Sequence, residues 1–208
     1  MDNYHIRRCT GRDRRLGKEI AGMHKSLISE GFLSSLPMPF LTLLYKYLIK
    51  RHIVFIAVTG KDRVLGFVAA TLHPEKLMRD FVFRNNLRIL FTLAPVLFRR
   101  RVLRQLRETK KTTSIDDATE ANMPELLSIA VMHDAGNRGV GAALLKCLES
   151  ALRAVKVKKY KVVAGEKLSQ ANNFYVKHNF KNIDEKVIHN NEISIVYCKK
   201  LFDGEENK

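Results

Sequence analysis

One stretch restricts this chain more than any other. Residues 125–131, Glu125-Leu126-Leu127-Ser128-Ile129-Ala130-Val131, are apolar and alternate poorly, as a central strand buried on both faces does. They run through Met132-His133-Asp134-Ala135 into a glycine-bearing turn, Gly136-Asn137-Arg138-Gly139-Val140-Gly141. A helical pattern over 139–156 follows, with apolar residues at Val140, Ala143, Leu144, Cys147, Leu148, Ala151 and Leu152. A strand feeding a helix through such a turn brings the helix N-terminus, with its unbonded N–H groups and positive dipole end, against open space. Glycines let backbone amides approach an anion, so the unit predicts a phosphate or pyrophosphate cradle, to which Arg138 adds a full charge.

Two nucleotide-binding alternatives fail on position and composition. A dinucleotide fingerprint follows the first strand of a βαβ unit and is succeeded by an acidic residue at the end of the next strand. This turn comes late, and the next short strand, over 161–164, ends without one. A Walker loop needs Gly-Lys-Ser/Thr after its glycines, which is absent here.

The rest of the chain reads as a mixed α/β (α+β) domain over 1–208. A first strand covers 4–10. A helix over 12–29 places Leu16, Ile20, Met23, Leu27 and Ile28 on one face, with Gly31 as its expected C-cap. A second helix, 39–50, opens on prolines. Strands at 53–58 and 63–71 flank the turn Thr59-Gly60-Lys61-Asp62 and form a hairpin. A helix over 169–178 has Ser169 as its expected N-cap, and a strand lies at 193–198.

Between hairpin and central strand, residues 73–111 mix apolar and basic side chains. Residues 76–111 hold eleven Lys/Arg against Asp80 and Glu108, a net of +9 within a chain of +16. This insertion is expected to form two helices broken near Pro95. Its Arg84, Arg88, Arg99, Arg100, Arg101 and Arg104 suit an anionic substrate or a membrane surface; a solvated basic face is the alternative. No nucleic-acid motif accompanies the charge, so a nucleic-acid partner is not expected.

The longest apolar run, 89–98, is interrupted by Thr92 and Pro95 and is too short to span a bilayer, and the N-terminus has no apolar run of signal-peptide length. Cys9, Cys147 and Cys198 are odd in number and far apart, which predicts reduced thiols and no metal site. These features predict a cytoplasmic protein; they do not choose between a monomer and a homodimer.

The glycine turn and a second block together resemble the GNAT superfamily of N-acetyltransferases. Asn137-Arg138-Gly139-Val140-Gly141-Ala142 after its strand is similar to the family's Arg/Gln-x-x-Gly-x-Gly/Ala signature, with Gly136 at the Arg/Gln position. Ala171-Asn172-Asn173-Phe174-Tyr175-Val176-Lys177-His178-Asn179-Phe180 resembles the later Ala-x-x-Phe-Tyr-x-x-x-Gly-Phe helix and its exit. Asn179 replaces the usual glycine, and asparagine is the next residue to tolerate a left-handed helix exit. Leu168 stands where the family often has an asparagine. The likeness is good over 125–180, looser over 4–71, and does not cover 73–111. Gly31-Phe32-Leu33-Ser34-Ser35-Leu36 and the basic insertion are also similar to a bacterial subset encoded among surface-sugar genes.

The resemblance implies acetyl-CoA as co-substrate and direct attack of a primary amine on the thioester, with no metal. It implies that the backbone of Ile129, Ala130 and Val131 holds the pantetheine arm and thioester. The turn from Gly136 through Asn137, Arg138, Gly139, Val140 and Gly141 to Ala142 would hold the pyrophosphate, with Asn172 and Tyr175 beside the arm. Tyr175 is the expected general acid for the leaving thiolate, and Glu125 the first candidate base, directly or through water. Glu30 and His133 are weaker candidates, Glu166 is offset from the family's usual acidic site, where Val163 stands, and is not favoured, and a water chain could serve instead. An amino sugar or other small amine is the expected acceptor. Alternatives are a protein amine, or a non-catalytic acyl-CoA-binding module using the same cradle.

Overall fold

The computed structural model describes residues 3–13, 15–28, 32–97, 122–189 and 192–202. Its elements are β1 (Tyr4–Arg8), α1 (Leu16–Leu27), the single turn α2 (Phe32–Ser35), α3 (Met38–Arg51), β2 (Ile53–Thr59), β3 (Val64–Thr71), α4 (Pro74–Leu97), β4 (Glu125–Val131), α5 (Val140–Ala154), β5 (Lys159–Gly165), α6 (Ser169–Lys177), β6 (Lys181–His189) and β7 (Glu192–Lys200). The strands form one seven-stranded sheet in the order β1-β2-β3-β4-β5-β7-β6, and only β4 and β5 pair in parallel.

Two apolar clusters sandwich the sheet. On one face α1, α3 and the first half of α4 bury Ile20, Leu41, Leu44, Phe67 and Phe81. On the other, α5 buries Leu144, Leu145, Leu148 and Leu152 against Leu126, Tyr160 and Val162. Buried on both faces along its whole length, β3 is as apolar as a central strand must be. Glu149 is the charged exception on α5, and it is satisfied: Tyr160 Oη donates to it at 2.8 Å and Lys199 Nζ at 2.6 Å. These bonds tie the helix to β5 and β7.

Several expectations change. Helix α1 starts at Leu16 because Asp13 folds the preceding turn: its carboxylate accepts from Thr10 N at 2.7 Å and from Arg7 at 3.1 Å. The expected cap Gly31 lies outside the described residues, and α1 stops at Ile28, whose N–H donates to the His24 carbonyl. In the insertion the break falls at Asn85 (φ −129°), not at Pro95, which lies within α4. Asn85 Nδ2 donates to the Phe81 carbonyl at 2.9 Å, so the side chain takes an acceptor of the helical ladder. Arg99, Arg100, Arg101 and Arg104 lie outside the described residues. Leu168 rather than Ser169 caps α6, with no side-chain cap bond. The edge strand β6 is added beside β7; its pairing is broken by two register shifts, which hides it from a period-2 pattern.

Candidate acyl-CoA cleft

Strands β4 and β5 pair only at Glu125↔Lys161 and Leu126↔Val162. Beyond Leu126 they part, so residues 127–131 expose an edge of β4 toward the gap. The register with β3 slips at the same place: Ala69 faces Ser128 and Ala70 faces Leu126, leaving Leu127 as the extra residue of a β-bulge. The bulge changes the phase of the strand. Leu126, Ile129 and Val131 pack toward α5, whereas Leu127 and Ala130 pack toward α1 and α3. Gly66 keeps β3 close here, since a Cβ would lie 2.8 Å from the Ala130 carbonyl oxygen.

The strand ends in the 3-10 turn His133–Ala135 and reaches α5 through two left-handed residues, Asn137 (φ 56°) and Gly139 (φ 76°). Asn is among the few side chains that adopt this conformation routinely, and glycine adopts it freely. Gly139 is the N-cap of α5 and brings no side-chain cap. The first helical bond is Ala143 N–H to the Gly139 carbonyl at 2.9 Å, so Val140, Gly141 and Ala142 N–H groups have no acceptor within the helix. Gly136 is exposed with ordinary φ, and a Cβ there would sit 3.1 Å from the His133 carbonyl oxygen. Arg138 is exposed on the turn, and Arg63 fastens the turn to the β2–β3 hairpin through Asp134 at 2.5 Å.

Helix α6 closes the other side. A Cβ on Gly141 would lie 3.3 Å from Phe174 Cε2 and 3.7 Å from Val131 Cγ2, so strand, cradle and α6 meet at that glycine. Asn172 Nδ2 donates to the carbonyls of Gly165 (3.1 Å) and Glu166 (2.9 Å), holding the end of β5. Its Oδ1 is buried without a hydrogen-bond partner, an orphan acceptor that an amide N–H of an extended ligand arm would satisfy. Tyr175 is buried, its ring against Phe174, Phe180 and Tyr197. Burial, with Tyr197 adding to it, pushes the phenol pKa above the usual tyrosine value, so the hydroxyl keeps its proton. Asn179 exits α6 at φ 63°, as the sequence predicts.

The remaining candidates lie away from this gap. Glu125 is at the closed end of β4, its carboxylate 3.8 Å from Lys161 Nζ. His133 and Glu166 are exposed, and Glu30 lies outside the described residues. Arg84 and Arg88 are exposed on α4 and, with Lys46, Lys50 and Arg51 of α3, line a basic groove of about 780 Å³. This groove is at the sheet end where β4 begins, opposite the cradle.

The sequence reading missed a line of buried polar groups under the bulge. His24 of α1, Tyr45 of α3 and Ser128 of β4 are 3%, 1% and 6% exposed. Tyr45 Oη is 2.6 Å from His24 Nδ1 and 3.3 Å from Ser128 Oγ. Its only trace in the sequence is a histidine on the apolar stripe of α1.

No family model matches the sequence, and neither does any curated protein. Solved structures do match. An acetyltransferase of the GNAT family from Streptococcus pneumoniae superposes with a TM-score of 0.56 at 14% identity, covering 95% of this chain and 99% of the other. Arabidopsis thaliana NAA60 in complex with acetyl-CoA gives 0.56 at 12%, covering 95% and 98%. The ribosomal-protein-S18-alanine N-acetyltransferase from Escherichia coli gives 0.56 at 13%, covering 99% of each. The chain therefore has the fold of GNAT acetyltransferases: a mixed seven-stranded sheet flanked by helices. Among the described residues, no helix is long and apolar enough to cross a membrane.

Proposed function

We propose that this chain, acting as one domain over 1–208, is an N-acetyltransferase that moves the acetyl group of acetyl-CoA directly to a primary amine. The observation that carries this reading is the parting of β4 from β5 beside the uncapped N-terminus of α5. An unpaired strand edge suits the amides of a pantetheine arm, and three unbonded N–H groups at a helix start suit a pyrophosphate. In this reading Ile129, Ala130 and Val131 contribute backbone to the arm and thioester, and Asn172 Oδ1 accepts from the arm. Gly136, Asn137, Arg138, Gly139, Val140, Gly141 and Ala142 form the cradle.

Attack by the neutral amine forms the C–N bond and breaks the C–S bond. Tyr175, held protonated by burial, gives its proton to the leaving thiolate. Glu125, beside Lys161 and at the closed end of the gap, acts on the amine only through water. In this reading, backbone N–H groups beside the Leu127 bulge are the proposed donors to the thioester oxygen as charge develops on it.

A small amine such as an amino sugar is the proposed acceptor. A protein amine is the second reading, favoured by structural likeness to the ribosomal-protein-S18-alanine N-acetyltransferase. The basic groove formed with Arg84 and Arg88 supports contact with an anionic ligand or membrane surface, remote from the cradle. The free thiols support a reducing compartment, and the cytoplasm is the proposed location. The test is release of free thiol from acetyl-CoA in the presence of amino sugars, polyamines and peptides with free N-termini. Thiol release that depends on one amine class supports transfer. Binding of acetyl-CoA without release by any amine contradicts it.

A further inference from the structure

The buried polar line beneath the β4 bulge is continuous from α2 to the point where β4 leaves β5. Ser34 Oγ lies 3.3 Å from His24 Nε2 and donates to the Ile28 carbonyl. His24 Nδ1 is 2.6 Å from Tyr45 Oη, which is 3.3 Å from Ser128 Oγ, and Ser128 Oγ donates at 2.7 Å to the carbonyl of Leu127. Ser128 is two residues past the last β4–β5 pair, Leu126↔Val162. It contacts Tyr45, so it faces α1 and α3 rather than the cradle helix. The surroundings are apolar, including Ile20, Leu41, Leu44 and Phe67, and packing alone gives no reason for three polar side chains there.

We propose that this line carries the acceptor amine's proton out of the cleft, with Ser128 as the group that takes it and Tyr45 and His24 as positioning residues that draw it away. The proposal rests on the acetyl-transfer reading. Each hydroxyl has one proton and rotates to suit, so the line has two orders. In the first, Ser128 donates to Tyr45, Tyr45 to His24 Nδ1, and His24 Nε2–H points to Ser34. As the amine nitrogen bonds to the acetyl carbon, its proton passes to Ser128 Oγ. The Ser128 proton then passes to Tyr45, and the Tyr45 proton to Nδ1. The imidazolium loses its Nε2 proton through half-exposed Ser34. This leaves the second order, in which Tyr45 donates to Ser128 and Ser128 to Leu127, and rotation with a change of His24 tautomer restores the first. Thiolate is protonated separately by Tyr175, which takes a proton back from solvent as the thiol leaves, so one proton leaves the amine, one reaches CoA and one restores the phenol.

Burial, with Lys25 adding to it, brings the His24 pKa down to about 4, so the resting ring is neutral at physiological pH, one nitrogen can face the Tyr45 hydroxyl as acceptor, and the ring holds a second proton only in passing. Tyr45 from α3 and Ser34 from α2 face the ring nitrogens, and Lys25 lies beside it on α1 with Nζ directed to the Leu36 carbonyl at 2.8 Å.

The experiment compares wild type with His24→Gln, Tyr45→Phe and Ser128→Ala. It records kcat and KM between about pH 6 and 10, acetyl-CoA affinity by calorimetry, and thermal unfolding. The amine is whichever of the amino-sugar, polyamine and peptide probes supports most thiol release. Tyr45→Phe keeps the ring against Phe67 and removes only the hydroxyl. The relay predicts kcat lower by about 10²-fold near neutral pH, unchanged acetyl-CoA affinity, and a loss that shrinks as hydroxide replaces the relay. Folded variants with wild-type kcat, or a loss equal at every pH, overturn the relay and leave acetyl transfer standing. A wild type that releases no thiol with any probe overturns both.

Discussion

Gly141, in the first turn of α5, lies against the ring of Phe174 on α6, so closely that a methyl group at 141 would come within 3.3 Å of Cε2. The contact joins the cradle to the helix that carries Tyr175. Gly141→Ala should therefore require the ring to shift by a few tenths of an ångström, with less than about 1 kcal/mol lost in stability. Gly141→Leu should separate the helices, lowering stability by about 1–3 kcal/mol and weakening acetyl-CoA binding. Denaturant unfolding and calorimetry of both variants measure this.

Tyr175→Phe should lower kcat by about 10²-fold and leave acetyl-CoA affinity close to wild type, as read by thiol release and calorimetry. Unchanged turnover would remove Tyr175 from the mechanism. The raised pKa of the phenol has a further consequence. Since the folded protein keeps Tyr175 neutral above the pH at which the unfolded chain ionises it, this group's stabilising contribution is complete below about pH 10 and declines above it.

His24 has the opposite dependence. Its folded pKa is lowered to about 4 from 6.5, so the unfolded chain takes up a proton first as the pH falls. The stabilisation is complete above pH 6.5 and is lost progressively down to about pH 4, up to roughly 3 kcal/mol in all. Denaturant unfolding at several pH values in this window should show a smaller loss for His24→Gln than for wild type. Parallel losses would contradict the assignment.

Asn179 holds the exit of α6 in a left-handed conformation. Asn179→Gly should be neutral or slightly stabilising, and Asn179→Ala should lose about 1 kcal/mol, both read from thermal or denaturant midpoints.

Charge reversal in the basic groove tests whether it contacts anionic surfaces. Wild type should float with vesicles containing anionic lipid at low salt and dissociate as salt rises. Arg84→Glu/Arg88→Glu should abolish flotation and leave acetyl-CoA binding intact. Salt-insensitive or absent flotation by wild type would remove the membrane reading.

The strand–turn–helix unit of the proposed cradle was legible in the sequence because its determinants are local. A strand, a glycine-bearing turn and an amphipathic helix follow one another without interruption, and Asn179 was readable for the same reason; the left-handed turn at Asn137 was not foreseen. What was not legible depends on distant partners. The Leu127 bulge is defined by its register with Ala69 and Ala70, and the His24–Tyr45–Ser128 line joins α1, α3 and β4. The break in α4 was expected at Pro95, the residue without an N–H. It falls at Asn85, whose amide competes for a backbone carbonyl. The polar edge strand β6 had too irregular a pairing to reveal itself by alternation.

The central claim is that the uncapped start of α5, beside the parted β4 edge, binds acetyl-CoA. Calorimetric titration of acetyl-CoA into wild type and Gly139→Val tests it most directly, because position 139 has open space for a side chain but a backbone that a β-branched residue resists. The account predicts one site per chain in wild type, with binding at least about tenfold weaker, on the order of 1.4 kcal/mol, in a variant whose circular dichroism shows it folded. No binding to wild type, or equal binding to the two proteins, would contradict it.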